Sequence, residues 1–214
     1  MNNLVIGNGE VGRAIQKVFN CSAIDKNDPI EKADIIHICF GYFDGFVDEV
    51  KRYQKETEAK YTIIHSTVPV GTSRKCNAVH SPIRGIHPEL YESTMTFEKF
   101  LGGEQASELA DVFRRAGVKV ILCDTPEETE LGKLMSTEYY RACIEHCKRV
   151  KNLCDKHNVP FHTAYTLFNK TYNEGYVKMG RDEYVRPTLQ PIMTEIKGHC
   201  VMPNKKILED AGDK

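Results

Sequence analysis

The chain has 214 residues, 41% of them hydrophobic and 28% charged; this length predicts one domain, or one domain with an appendage, with enough apolar side chain to bury a core. Lysine and arginine together number 29, aspartate and glutamate 30, and the net charge is -1, so there is no electrostatic footing for nucleic acid or an anionic membrane. No stretch has the roughly 18 consecutive apolar residues of a spanning helix.

The opening Met1-Asn2-Asn3-Leu4 has neither a basic region nor a long apolar stretch, so no secretion signal is expected. Leu4-Val5-Ile6 reads as a short strand, after which Val11, Ala14, Ile15, Val18 and Phe19 recur at helical spacing. Ala23-Ile24 is a second short strand ending at Asp25, and Ile35 to Phe40 is a near-continuous apolar run of the kind a buried parallel strand shows. Phe43 to Ala59 reads as a helix with Phe43, Phe46, Val47 and Val50 on one face, followed by a strand at Tyr61 to His65. A helix over Ser107 to Ala116 and a strand over Val118 to Cys123 complete the alternation. Strand and helix in turn, with short connections, predict an α/β fold: a Rossmann-type, doubly wound, mostly parallel sheet over residues 1–123.

At Asp124 the pattern changes. Thr125, Pro126 and Glu128 occupy the N-cap, first and third positions of a helix start, and only Gly132 interrupts helical character before Pro160. The helix predicted there runs about 30 residues, roughly 45 Å. It is expected to leave the first domain and carry a small helical and irregular appendage, so that residues 124–214 form the second part. Phe161, Tyr165, Phe168, Tyr172 and Tyr176 recur near helical spacing in that appendage and read as packing.

Gly7-Asn8-Gly9-Glu10-Val11-Gly12 is a G-x-G-x-x-G sequence that leaves a strand directly and opens a helix, with Asp25 ending the next strand. In that setting the first glycine permits the tight turn, the second lets backbone approach a diphosphate, and the third lets helix and strand pack closely. The helix N-terminus offers unpaired N–H groups and a positive dipole end to the phosphates. Asp25 would accept hydrogen bonds from ribose hydroxyls and repel a 2′-phosphate, which favours NAD over NADP as cofactor.

Four further segments follow in order: His65-Ser66-Thr67-Val68-Pro69-Val70-Gly71-Thr72 at the carboxyl edge of the sheet, Gly85-Ile86-His87-Pro88-Glu89-Leu90, Glu127 to Leu134 opening the long helix, and Gly198-His199-Cys200 running on to Leu208. Together they resemble the UDP-glucose/GDP-mannose dehydrogenase family, and most closely its branch oxidising UDP-N-acetylhexosamines, to which Arg186-Pro187-Thr188-Leu189-Gln190-Pro191 is also similar. The resemblance spans nearly all of this chain but only about the first half of a family member, which continues into a second Rossmann-like domain gripping the nucleotide.

The resemblance implies NAD-dependent, two-step oxidation of a primary alcohol to a carboxylate. It implies Cys200 as the thiolate nucleophile, Lys133 as oxyanion stabiliser, Thr67 positioning water and Glu89 as acid/base. It also implies cofactor contacts from Ser66, Thr67 and Pro69, with Pro69 and Gly71 shaping the nicotinamide pocket. It departs where family members carry an asparagine, here Thr137, and an aspartate, here Asn204, and in Ile192 to Lys197, where they are glycine-rich. The alternative readings are a catalytically impaired NAD-binding module, or a half-enzyme needing a partner chain for its substrate.

His87-Pro88-Glu89 has an H-x-E form, but no Pro-Cys-x-x-Cys follows it. Cys143, His146, Cys147 and Cys154 share part of a helix face and read as a buried stripe, so no metal is expected. Eight cysteines without a Cys-x-x-Cys in a chain of this size predict free thiols in a reducing, cytoplasmic compartment. The expected partners are a small-molecule substrate and a second copy joined through the long helix, with no nucleic acid and no membrane.

Overall fold

The computed structural model describes residues 1–191 and 201–210. The chain divides into two compact units, Met1–Leu134 and Met135–Asp210.

The first unit opens with β1 (Asn3–Ile6), α1 (Glu10–Phe19), β2 (Ser22–Ile24), β3 (Ile35–Ile38), α2 (Phe46–Thr57) and β4 (Tyr61–Ile64). It continues through α3 (Thr72–Lys75), β5 (Val79–His80), α4 (Leu90–Thr96), β6 (Lys99–Gly102), α5 (Ala106–Arg115) and β7 (Val120–Cys123), then enters α6 (Pro126–Lys156). The seven strands form one sheet in the order β2-β1-β3-β4-β5-β6-β7. Every pairing is parallel except β5 with β6, so the expected α/β sheet is present and is parallel over its first five strands.

The apolar runs are continuous because both faces of the strands are covered. Leu4, Ile6, Ile36 and Ile38 pack on Phe46, Val50 and Tyr53 of α2. Their neighbours face the other way: Ile35, Ile63 and Leu101 meet Leu109 and Phe113 of α5, and Val5 meets Ala14 and Ile15 of α1. Phe113 is fully buried, edge-on to Phe19 with ring centroids 5.0 Å apart. Truncating it leaves a cavity that the sheet and α5 cannot close, so Phe113→Ala is expected to lose about 3–5 kcal/mol in a urea titration.

Among the predicted boundaries that shift, two have clear local reasons. The helix expected from Phe43 starts at Phe46, because Gly45 at φ +96° caps it and the Phe43 carbonyl accepts from the Phe46 N–H. The strand expected up to Phe40 ends at Ile38, and Cys39 donates once more to the Ile6 carbonyl at the sheet edge. The short elements α3, β5, α4 and β6 were not anticipated.

Helix α6 spans 31 residues and begins at Pro126 as the capping signal predicts. Glu128 Oε1 accepts from both the N–H and the hydroxyl of Thr125, at 3.0 and 2.9 Å. In the second unit α6 is followed by a π-helical stretch (His162–Leu167), α7 (Phe168–Lys178), a short 3₁₀ turn (Asp182–Tyr184) and α8 (Val201–Asp210). The aromatic series is packing, as read, at Phe161 with Tyr165 and at Tyr172 with Tyr176, whose ring centroids lie 4.9 and 4.6 Å apart. The segment before residue 192 is clasped by side chains. Asn173 holds both backbone groups of Arg186, while Tyr165 Oη and Cys147 Sγ bond the N–H and carbonyl of Leu189. No described helix is long and apolar enough to cross a membrane.

Candidate functional site

The parallel register sets the site. Ile6 lies level with Ile24 on one side and Ile38 on the other, so Gly7, Asp25 and Cys39 emerge together at the carboxyl edge. That is where open α/β sheets bind ligands.

The three glycines differ in what surrounds them. Gly7 has φ +100°, donates to the Ile24 carbonyl at 2.8 Å, and would set a Cβ 2.8 Å from the Phe40 nitrogen. A Cβ on Gly12 would fall 1.8 Å from the Gly7 carbonyl oxygen. Gly9 has nothing within 4 Å of such a position. The first and third glycines are therefore fixed by packing, and the second faces open space. Gly9 is also the N-cap of α1 and supplies no side-chain cap, so the N–H groups of Asn8–Val11 and the first turn point to where an anion could sit. Arg13 Nη1 steadies the turn through the Asn8 carbonyl at 3.1 Å.

Asp25 follows β2 directly and is exposed. Its backbone N–H is held by Asp28 Oδ2 at 2.7 Å, which fixes the turn that presents its carboxylate. A dinucleotide fits this set on the structure's own terms: an uncapped helix start, a glycine open to close approach, and a carboxylate level with both.

The motif placed Glu10 and Val11 in the cofactor loop. Val11 is half-buried in the first turn of α1, and the Glu10 carboxylate meets His87 Nδ1. This contact brings the Gly85–Glu89 segment beside the loop. Glu89 is exposed immediately before α4, its carbonyl accepting from Ser93 N–H at 2.9 Å.

On the β4 side, Ser66 is buried and its hydroxyl donates to the Phe40 carbonyl at 2.5 Å, tying this loop to the one after β3. Thr67 and Pro69 are half-buried beside it. The turn that follows is held by a residue the sequence reading assigned no role. Glu130 of α6, fully buried, accepts from Gly71 N–H at 2.6 Å and Ser73 N–H at 2.8 Å. Burial pushes its carboxyl above the usual range against the pull of these donors. Lys133 lies three residues on, half-buried, with the Pro69–Gly71 turn and its own helix thus in fixed register.

Lys133 also lies near Lys99 and His80, whose protonated forms its charge disfavours. Lys99 is buried, donates to the carbonyls of Ser81 at 2.8 Å and Pro82 at 3.0 Å, and is lowered to about 7, chiefly by burial. Beneath it His65 joins Ser81 O at 2.8 Å to His37 at 3.0 Å, and His37 reaches the Asn3 amide at 3.0 Å. His80 bridges Ser66 O and Thr129 Oγ1 at 3.1 and 2.8 Å. Nothing but an interruption of apolar strands by histidine announced this buried polar layer.

In the second unit, the two departures from the family pattern touch each other. Asn204 Nδ2 donates to Thr137 Oγ1 at 3.1 Å. Cys200 lies outside the described residues. Among the described residues no group of three or more histidine, cysteine, aspartate or glutamate side chains converges as a metal site.

No protein-family model matches the sequence, and no curated protein is similar to it in sequence. Solved structures are similar in fold. The UDP-D-ManNAc dehydrogenase from Pyrococcus horikoshii aligns with 100% of this chain and 65% of its own, with a TM-score of 0.81 and 17% identity. The UDP-N-acetyl-mannosamine dehydrogenase from S. aureus aligns with 98% of this chain and 66% of its own, with a TM-score of 0.64 and 16% identity. The 3-hydroxyisobutyrate dehydrogenase from Mycobacterium tuberculosis aligns with 99% and 86%, with a TM-score of 0.69 and 12% identity. The chain thus has the Rossmann-type fold of these dehydrogenases and agrees in fold with the resemblance its motifs carry. It spans just under two thirds of the length of the two sugar-nucleotide dehydrogenases.

Proposed function

We propose that the chain is an NAD-dependent oxidoreductase that oxidises a primary alcohol of a nucleotide sugar, or of a related sugar or polyol. The observation that carries this reading is the glycine turn, closed by packing at Gly7 and Gly12 and open at Gly9, with Asp25 level beside it. In this reading residues 1–123 bind the dinucleotide and residues 124–214 carry the cysteine loop.

The bound dinucleotide would supply the hydride acceptor for each of two oxidations. The turn and the first N–H groups of α1 bind the diphosphate, Asp25 orients the adenosine ribose, and the Ser66–Gly71 turn, braced by Glu130, borders the reacting end. The first oxidation takes a hydride and a proton from the alcohol and leaves an aldehyde. The Cys200 thiolate adds to the aldehyde carbon, and Lys133 steadies the oxyanion before it is protonated. Loss of a second hydride and that proton gives a thioester. Water placed by Thr67 and deprotonated by Glu89 cleaves it to carboxylate and thiol. The two oxidations would together require two hydride acceptors per alcohol.

The reading is tested by following NADH formation with a panel of UDP- and GDP-sugars. The expected result is two NADH per sugar for the native chain and at most one for Cys200→Ser. Reduction of NAD to the same extent by both would remove the thioester route.

A second reading is a catalytically impaired NAD-binding module, or a half-enzyme completed by another chain. The Thr137–Asn204 hydrogen bond favours it, since two neutral groups engage each other where the family carries an amide and a carboxylate. That reading is met by NAD binding without turnover. The proposed homodimer joins through α6, where Tyr139 and Tyr140 are 62% and 51% exposed. A cytoplasmic location fits the seven described cysteines, all free thiols.

A further inference from the structure

We propose that the exposed rings of Tyr42 and Phe43 form a stacking face for the purine base of a dinucleotide seated on the Gly7–Gly12 turn. This rests on the dinucleotide reading above and adds the group that would hold its adenine end.

The segment after β3 carries Phe40, Gly41, Tyr42, Phe43, Asp44 and Gly45. It stands against the phosphate turn, since a Cβ on Gly7 would meet the Phe40 nitrogen at 2.8 Å. Four rings gather there. Phe46 is buried at the centre, with Phe40, Tyr42 and Phe43 at centroid distances of 5.1, 5.5 and 6.3 Å. Tyr42 and Phe43 remain 41% and 47% exposed. Large apolar rings left in water beside a polar turn mark a contact surface.

The occupant follows from what borders the rings. Phe40 lies 6.1 Å from Tyr53, and the Phe40 backbone stands against Gly7, whose N–H donates at 2.8 Å to the carbonyl of Ile24, the residue before Asp25. The aromatic wall therefore reaches from the phosphate turn towards the carboxylate read as the ribose acceptor. The base attached to that ribose is the adenine. Gly41 has nothing within 4 Å of a built Cβ, so space is open beside the rings. A heterocycle stacks on such a face without needing directional hydrogen bonds.

The test is calorimetric titration with ADP-ribose, which carries adenine, ribose and diphosphate but no nicotinamide, and so cannot be turned over. Native chain, Tyr42→Ala, Phe43→Ala, the double variant and Phe43→Tyr are compared. Each ring removed is expected to weaken binding about tenfold, while Phe43→Tyr binds like the native chain. Each ring is more than half covered by the cluster, so thermal midpoints should fall in the alanine variants and hold in Phe43→Tyr, and affinities are compared at a temperature where every variant is folded. Equal affinity in the native chain and the double variant overturns the stacking face alone. So does a change in sedimentation without a change in affinity, which gives the rings to a second copy. A native chain that binds neither NAD nor ADP-ribose overturns the dinucleotide reading itself.

Discussion

Gly12→Ala is expected to abolish NAD binding, measured as loss of the thermal shift that NAD gives the native chain. The added methyl would lie 1.8 Å from the Gly7 carbonyl oxygen, which is backbone and cannot swing aside. Relief requires α1 to move off β1, and the N–H groups of its first turn move with it. Binding through helix N-terminal N–H groups depends on their convergence on one phosphate, so a displacement near 1 Å removes most of it. The fold has a second hold on α1, through Ala14 and Ile15 in the core, so the variant should retain helical circular dichroism. Gly9→Ala is the internal comparison. It meets no protein atom within 4 Å, so the chain should fold with native stability and lose affinity only through crowding of the ligand. A Gly12→Ala variant that binds NAD as the native chain does would show that the turn is not the diphosphate site.

Mild acid is expected to destabilise the protein steeply. Burial lowers His37 and His80 to about 3, and His65 well below its ordinary value of 6.5. A base whose folded pKa is depressed takes up its proton first in the unfolded chain. The contribution of the histidines is then complete above pH 6.5 and falls as the pH drops from 6.5 towards 3. The slope approaches about 1.4 kcal/mol per pH unit for each such histidine.

Lys99, about 7 when folded against 10.5 when not, acts in the same sense at higher pH, with stability rising from 7 to 10.5. Glu49, Glu127 and Glu138 are held below the usual carboxylate range by Arg52, Arg74 and Arg141, so their loss of charge adds only below about pH 4.5. Glu130, raised by burial, opposes the trend. The window from pH 6.5 to 5 is thus governed by the histidines. Unfolding free energies from urea titrations at pH 6.5 and pH 5 should differ by several kcal/mol; coincident curves would mean that the imidazoles are solvated.

What could be read from the sequence follows the range of the forces involved. The apolar runs at Leu4–Ile6, Ile35–Ile38 and Tyr61–Ile64 are doubly covered strands, and both faces being buried leaves a signal in every residue. The start of α6 was legible because a cap is local: Thr125, Pro126 and Glu128 lie within four residues. Strand β5 has two residues, and β6 opens with a lysine, so neither offers periodicity to detect. Lys99 and Glu130 look like solvated charges in sequence. Each is buried because its partners are backbone groups distant in the chain, which no residue type announces. The same holds for Glu10 with His87, 77 residues apart, and for Thr137 with Asn204, 67 apart. The glycine turn was legible because its demands are steric and contained in six residues.

The most direct test of the dinucleotide site is a calorimetric titration of the native chain with NAD and with NADP. The expected result is saturable binding of one NAD per chain, with NADP at least tenfold weaker because in the proposed reading Asp25 would face the 2′-phosphate, and with that difference erased in Asp25→Ala. Absence of saturable binding for both dinucleotides would contradict the assignment of the Gly7–Gly12 turn.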